Sequence, residues 1–98
     1  MNMQQMIIQA QKLQREINKA QDELKTKEFT VEKGGAVKVV VKGDCRVKSI
    51  DIDKDALAPE NKEMVEEMVM MAINEAEDQI EKESDAINEK FTSRPGIF

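Results

Sequence analysis

The most regular feature of the chain is a narrow apolar seam along its first quarter. Apolar residues recur there at alternating steps of three and four positions, which is the spacing of a helix with one apolar face. This pattern predicts a helix over residues 2–27. A face this narrow requires a second helix to cover it. The seam consists of Met3, Met6, Ala10, Leu13, Ile17, Ala20 and Leu24.

Three short segments with the two-residue period of β-strands follow the predicted helix. Gly34 and Gly35 separate the first two segments and predict a hairpin turn, because glycine admits the positive φ that tight hairpin turns require. Gly43 and Asp44 mark the turn before the third segment. The predicted strands span residues 28–33, 36–42 and 46–53.

The strand pattern predicts one buried face and one irregularity. In the third strand, Val47 is out of phase with Ile50 and Ile52. An extra residue that bulges from the strand would restore a common face, so we expect a β-bulge near Lys48 or Ser49. The buried face of the second strand is formed by Val37, Val39 and Val41.

A second long helical pattern extends from residue 59 to residue 91. Pro59 is tolerated in the first turn of a helix, and Glu60 complements the positive end of the helix dipole. The apolar stripe of this helix is broad before Ala76 and sparse after it. The first half is therefore expected to pack on the sheet and the second half to project.

The predicted helices are longer than the predicted sheet. At about 1.5 Å per residue the second helix runs on the order of 50 Å, whereas strands of about six residues cover roughly 20 Å. The helices must overhang the sheet, and such an overhang in a chain of 98 residues favours a dimer.

These elements predict a single α+β domain over residues 1–91, with a long N-terminal helix, a three-stranded antiparallel sheet and a long C-terminal helix. Residues 92–98 contain Pro95 and Gly96 and show no periodicity. They are expected to form a flexible C-terminal tail.

Charge is distributed unevenly along the chain, although the net charge is only −5. Residues 1–27 sum to +2, residues 28–58 to 0 and residues 59–91 to −8, and Arg94 adds +1. An acidic total opposes nonspecific binding to nucleic acid, because phosphate binding depends on Lys and Arg displacing counterions. The eleven acidic residues of the second helix form a soluble face or, alternatively, mimic phosphates or repel DNA from that side.

A locally basic surface is predicted on the first helix. Lys12, Arg15 and Lys19 are spaced by three and four residues and share one exposed face. Such a face is either simply solvated or, when a dimer holds two copies at a fixed separation, able to engage a duplex. The chain has no Trp or Tyr to stack on single-stranded bases. Any bound nucleic acid is therefore expected to be double-stranded and held by its backbone.

The composition offers few residues for catalysis or metal binding. There is no His, and the single cysteine is interpreted as a small side chain near a turn. The spacing of Asp51, Asp53 and Asp55 suggests a cation loop. A calcium loop also needs glycine at its sixth position and glutamate at its twelfth, and this chain has Ala56 and Lys62 there. We expect no enzymatic activity, cofactor, metal or small-molecule substrate, no membrane segment, and a cytoplasmic location.

Several strings in the chain resemble the YbaB/EbfC family of bacterial nucleoid-associated proteins. The family's first helix is similar to the opening MNMQQMIIQAQKLQREINKAQDEL, and its strands are similar to GGAVKVVVKGDCRVKSIDID. Its second helix is similar to NKEMVEEMVMMAINEAEDQIEK, where Ala72, Asn74 and Ala76 form an Ala-x-Asn-x-Ala core. The ending RPGIF resembles the family's Pro-Gly-apolar-Phe tail. The match covers nearly the whole chain.

This resemblance implies a tweezer-like homodimer whose helices project from a central body and bind DNA with limited sequence preference in the nucleoid. The projecting helices are the implied DNA contacts. The acidic second half of the second helix, residues 75–85, departs from this expectation because it opposes DNA binding at that surface. The implied DNA-binding candidates are Lys12, Arg15, Lys19, Lys82, Lys90 and Arg94.

The sequence leaves three interpretations in order of preference. The first is a homodimer that binds duplex DNA, with phosphate contacts dominating. The second is a non-enzymatic adaptor whose helical seam and methionines bind a protein partner. The third is an enzyme that depends on Asp51 or Asp53.

Overall fold

The computed structural model describes residues 2–92 of the chain. A helix, three strands and a second helix follow one another in the predicted order, which confirms the α+β fold. Of the predicted tail, only Thr92 lies within the described residues, as the last residue of the second helix. The elements are α1 (Met3–Thr26), β1 (Glu28–Lys33), β2 (Val37–Lys42), β3 (Val47–Ile52) and α2 (Lys62–Thr92).

The strands form one antiparallel sheet in the order β1-β2-β3. Val39 at the centre of β2 pairs with Val31 on one side and with Ile50 on the other. Gly34 and Gly35 both adopt positive φ, 59° and 66°, in the turn between β1 and β2. The predicted glycine hairpin is therefore confirmed.

The predicted bulge is also confirmed, and it falls on Lys48. Val40 pairs with Ser49 while its neighbour Val41 pairs with Val47, so Lys48 is the one extra residue on β3. Because of this extra residue, Val47 and Ile50 point to the same face of the sheet although they are three positions apart.

The core lies between α2 and one face of β1 and β2. Val39 and Val41 have no exposed surface, and neither do Ala72 and Ala76 on α2. Two alanines one helical turn apart let the helix approach the strands closely. The first half of α2 thus packs on the sheet, as its broad apolar stripe predicts.

The start of α2 differs from the sequence-based expectation. The expected helix begins at Pro59, whereas α2 begins at Lys62 and is preceded by 3₁₀ turns at Lys54–Ala56 and Pro59–Asn61. The amide of Lys62 donates to the carbonyl of Pro59 in the shorter three-residue pattern. Proline suits the first position of a 3₁₀ turn as well as that of an α-helix, so the sequence does not distinguish the two.

Beyond the sheet, the second half of α2 runs antiparallel to α1. The amide nitrogen Nε2 of Gln21 donates to the carbonyl of Ser84 at 3.3 Å and to Oδ1 of Asn88 at 3.2 Å. Leu24 is buried beside α2, only 4% exposed. We call α1 together with residues 77–92 the arm, and residues 28–76 the body. The molecule is elongated, 69 × 18 × 15 Å.

The apolar seam of α1 is covered only along its inner half. Leu13, Ile17 and Ala20 are half-buried, whereas residues 2–12 are exposed throughout, with Met3 at 77%. α2 is therefore the partner helix of the inner part of the seam and leaves the outer part uncovered. The reason is geometric: the helices run antiparallel, and the inner end of α1 already lies near residue 80, so α2 ends before the first turns of α1.

The arm meets the body through backbone contacts at Gly43. The amide of Gly43 donates to the carbonyl of Lys27 at 2.9 Å. A Cβ atom at this position would lie 1.8 Å from the carbonyl oxygen of Leu24, far inside van der Waals contact. Gly43 is therefore required by a close approach between two backbones, in addition to marking the turn that the sequence predicts.

Candidate functional site

Three basic side chains project together from α1. Lys12, Arg15 and Lys19 are all exposed. At about 100° per residue they fall within about one sixth of the helix circumference. No described residue forms an ion pair with any of the three. We call these three residues the basic stripe.

The packing of α1 determines the direction in which the basic stripe points. The inner seam, with Ile17 and Leu24, faces α2. The basic stripe lies about 150° around the helix from that seam, so it faces away from the rest of the molecule. Residues 2–15 contain no acidic side chain, and the helix therefore carries uncompensated positive charge toward its outer end.

The other three DNA-binding candidates do not join the basic stripe. Lys82 is exposed on α2. The ammonium nitrogen of Lys90 lies 5.7 Å from the ring centroid of Phe91, near the groove where α2 meets α1. Arg94 lies outside the described residues. The structure therefore groups Lys12, Arg15 and Lys19 and separates Lys82 and Lys90 from them.

A second charged surface lies on α2, where Glu81 and Asp85 border the groove between α2 and the inner end of α1. Asp78, Glu81 and Asp85 are exposed and form no ion pair with a described residue. Two neighbouring glutamates differ from them: Glu75 pairs with Lys33, and Glu83 pairs with Lys27 at 2.7 Å. We call Asp78, Glu81 and Asp85 the acidic stripe.

The sheet has an apolar surface that α2 does not cover. The helix packs over β1 and β2, and on β3 Val47 and Ile50 stay 43% and 46% exposed on the same face. The bulge gives both residues a common face, as the sequence predicts. The sequence pattern does not indicate which strand the helix leaves uncovered, because that depends on where α2 crosses the sheet.

The side of α2 that faces β3 extends this apolar surface. Glu75 pairs with Lys33 at the end of β1, which places that side of the helix over β1. The opposite side, about 150° around the helix, carries the exposed Met70 and the half-buried Ile73. We call Val47, Ile50 and Met70 the apolar patch.

Of the closely spaced Asp51, Asp53 and Asp55, Asp53 has a local structural role. A side-chain oxygen of Asp53 accepts a hydrogen bond from the amide of Asp55 at 2.9 Å and caps the 3₁₀ turn Lys54–Ala56. Asp51 and Asp53 line a shallow surface depression with Lys38 and Lys54. Within residues 2–92, neither helix has an apolar stretch long enough to cross a lipid bilayer.

Comparison with known proteins assigns the chain to a family. Residues 1–95 match the YbaB/EbfC DNA-binding family. The chain belongs to this family. A nucleoid-associated protein of Metamycoplasma arthritidis is 40% identical over 93 residues, covering 95% of this chain and 97% of the relative. A nucleoid-associated protein of Enterococcus faecalis is 41% identical over 98 residues, covering 98% and 94%, and one of Lactococcus lactis is 41% identical over 93 residues, covering 94% of each.

The family assignment confirms the resemblance that the sequence strings indicate. In this YbaB/EbfC member the described residues carry the basic stripe on one helix of the arm and the acidic stripe on the other, with the apolar patch on the body. The three surfaces do not overlap, so each can be altered by substitution without touching the other two.

Proposed function

We propose that this YbaB/EbfC protein binds double-stranded DNA as a homodimer with limited sequence specificity, as a component of the nucleoid. The observation that carries the proposal is the basic stripe: three exposed, unpaired cations in line on a helix that projects from the body. The family assignment and the names of the relatives support DNA as the ligand.

The chemistry of the arm favours contact with the phosphate backbone. Lys12, Arg15 and Lys19 span about 10 Å along the axis of α1 at about 1.5 Å per residue. Cations in this arrangement bind a row of phosphates without reading base edges, which gives affinity with little sequence preference.

The aromatic residues support a duplex rather than a single strand. Proteins that grip single strands stack exposed aromatic rings on the bases. In the described residues Phe29 is half-buried and Phe91 is buried, so neither ring is displayed for stacking. The DNA contact proposed here therefore depends on charge.

A homodimer is supported by the apolar patch. Val47, Ile50 and Met70 are exposed on a small body, and burying such apolar side chains against a second copy is favourable. A dimer also presents two basic stripes at a fixed separation, and joint engagement raises the affinity above that of one stripe. Lys82, Lys90 and Arg94 are proposed as additional, peripheral DNA contacts.

The DNA-binding proposal is tested by a salt titration with charge-matched variants. The first variant carries Lys12→Gln, Arg15→Gln and Lys19→Gln. The control carries Lys38→Gln, Lys42→Gln and Lys54→Gln, which removes three exposed cations from the body instead. Affinity for a random-sequence duplex is measured by fluorescence anisotropy at several salt concentrations.

The expected result is specific to the basic stripe. A plot of the logarithm of the association constant against the logarithm of the salt concentration has a negative slope. Loss of three phosphate contacts makes this slope less steep by about 2.7 per bound copy, and the control keeps the wild-type slope. Charge reversal by Lys12→Glu with Arg15→Glu abolishes a gel shift while the dimer stays intact. Equal losses in the stripe variant and the control would reject the stripe as the DNA contact.

The dimer proposal is tested by Ile50→Asp, with Ile8→Asp as the control. Both isoleucines are strongly exposed in the single chain, and only Ile50 lies in the apolar patch. We expect sedimentation to give a monomer for Ile50→Asp and a dimer for Ile8→Asp, with helical content unchanged in both by circular dichroism. A dimeric Ile50→Asp variant would place the interface elsewhere.

An adaptor role is a second candidate, supported by the outer part of the seam. Met3 and Met6 continue the apolar face of α1 and are 77% and 55% exposed, so this stretch could receive a helix from another protein. The test is co-purification after nuclease treatment. A stoichiometric protein partner that is lost with Met3→Glu and Met6→Glu favours this role, and no partner argues against it.

A further inference from the structure

The two stripes of the arm have the same spacing and opposite charge. The basic stripe is formed by residues 12, 15 and 19, and the acidic stripe by residues 78, 81 and 85. Each set advances by three and then four residues. Each therefore covers about one sixth of its helix circumference and about 10 Å of its axis. When the two helices lie side by side and run in the same direction, each cation of one set lies opposite a carboxylate of the other.

Both stripes lack partners within the described chain. No member of either set forms an ion pair with a residue in the range 2–92. Their neighbours on the same helices do form pairs: Lys25 lies 3.7 Å from Asp22, and Glu83 lies 2.7 Å from Lys27. Within residues 2–92, neither stripe is therefore neutralised by an ion pair, although other charges on the same helices are.

The stripes cannot pair with each other in one molecule. The basic stripe points away from α2, whereas Glu81 and Asp85 of the acidic stripe border a groove that also contains Gln21 and Lys25 of α1. Gln21 and Lys25 lie more than about 100° around α1 from the basic stripe. The two stripes therefore face opposite sides of the arm. Only the arm of another molecule can bring a complementary set to either of them.

We propose that the basic stripe of one copy docks on the acidic stripe of another copy, joining arms in a head-to-tail manner. Because the two stripes face opposite sides of the arm, two arms cannot form both contacts with each other at once, so each molecule keeps one stripe available for a further copy. The contact occupies the surface that binds phosphates under the proposed function, so DNA and a neighbouring arm compete for it. The competition rests on the proposed function, whereas the arm contact does not.

Sedimentation of the purified protein tests the arm contact without DNA. At low ionic strength we expect the mean mass to rise with protein concentration beyond its value in high salt, because screening weakens exposed pairs. Three exposed pairs change the association constant by about tenfold. A mean mass that is the same at both ionic strengths would overturn the proposal.

Charge exchange identifies the pairing. One variant carries Lys12→Glu, Arg15→Glu and Lys19→Glu, and the other carries Asp78→Lys, Glu81→Lys and Asp85→Lys. We expect each variant alone to keep its high-salt mass at low ionic strength, and their equimolar mixture to regain the association of the wild type. A variant that associates like the wild type, or a mixture that stays dispersed, would refute the pairing.

Two controls keep the result decisive. Lys38→Glu, Lys42→Glu and Lys54→Glu change the net charge as much as the basic-stripe reversal and should leave association intact. The neutral set Lys12→Gln, Arg15→Gln and Lys19→Gln replaces the reversed variant if circular dichroism shows that the latter is unfolded. Loss of association in the lysine control at the body would mean that total charge, rather than the stripe, drives assembly.

The competition is tested with a neutralised acidic stripe. At protein concentrations where the wild type associates, Asp78→Asn, Glu81→Gln and Asp85→Asn should tighten binding to a short duplex at low salt more than the matched set Glu60→Gln, Glu63→Gln and Glu67→Gln. This difference should shrink at concentrations where the wild type is dispersed, because simple charge repulsion does not depend on association. Equal effects of the two sets would refute competition while leaving the arm contact to the sedimentation result. Absence of any DNA binding would reject the proposed function alone.

Discussion

The body and the arm are built from the same two kinds of element in contrasting ways. In the body, valines from β1 and β2 and alanines from α2 enclose a core in which Val39 has no exposed surface. In the arm, two helices share one seam, and residues 2–12, on the N-terminal side of Leu13, are exposed on every side of the helix. Packing therefore constrains the residues of the body, whereas charge and exposure dominate in the arm. The effects of substitutions on the free energy of unfolding should therefore differ between the two regions in cause as well as in size.

The largest effect is expected where the two regions meet. Gly43→Ala places a methyl group at 1.8 Å from the Leu24 carbonyl, so the end of α1 must move away from the turn. We expect a loss of about 3 kcal/mol in the free energy of unfolding, measured by denaturant titration at fixed protein concentration.

Gly35→Ala is the matched control for this junction. Gly35 has φ +66° and no neighbouring atom within 4 Å of an added Cβ, so only backbone strain of about 1 kcal/mol is expected. If Gly43→Ala lowered the free energy of unfolding no more than Gly35→Ala does, the close approach of the two backbones would not be a constraint in solution.

A pair of truncations compares the interiors of the two regions. Val39→Ala removes fully buried methyl groups and should cost about 2–3 kcal/mol. Leu13→Ala removes more atoms but should cost about 1 kcal/mol, because the Leu13 side chain is only half-buried. Denaturant midpoints with unchanged m-values measure both. A larger loss for Leu13→Ala would mean that a second molecule covers the seam of the arm.

The smallest effect is expected for the ion pair along the arm. The side chains of Lys27 and Glu83 are 55% and 41% exposed, so solvent screens their attraction. Lys27→Met should change the free energy of unfolding by about 0.5 kcal/mol or less. A loss above about 1.5 kcal/mol would indicate that the pair is shielded from water in the assembled protein.

The parts of the fold that depend on local pattern were predictable. The phase change between Val47 and Ile50 predicted the bulge that the structure places at Lys48. Paired glycines predicted the turn with two positive φ angles. These features are set by neighbours along the chain, and the sequence contains that information directly.

Features that depend on the relative position of two elements were not predictable. Val47 and Ile50 stay uncovered because of where α2 crosses the sheet. Met3 and Met6 stay uncovered because α1 and α2 are offset along their antiparallel axes. Spacing rules grouped Lys12, Arg15 and Lys19 within one helix, and their role in binding stays a prediction. Spacing could not relate Lys82 or Lys90 to that group, because packing alone sets the rotation of one helix against another.

The bulge at Lys48 makes the length of β3 matter more than its composition. One surplus residue switches the parity of the strand, so the side chains before and after it project in a common direction. A change of side chain leaves that parity intact. Deletion of a single residue there would turn Val47 to the far side of the sheet, so this short stretch should tolerate replacement far better than a change in the number of residues.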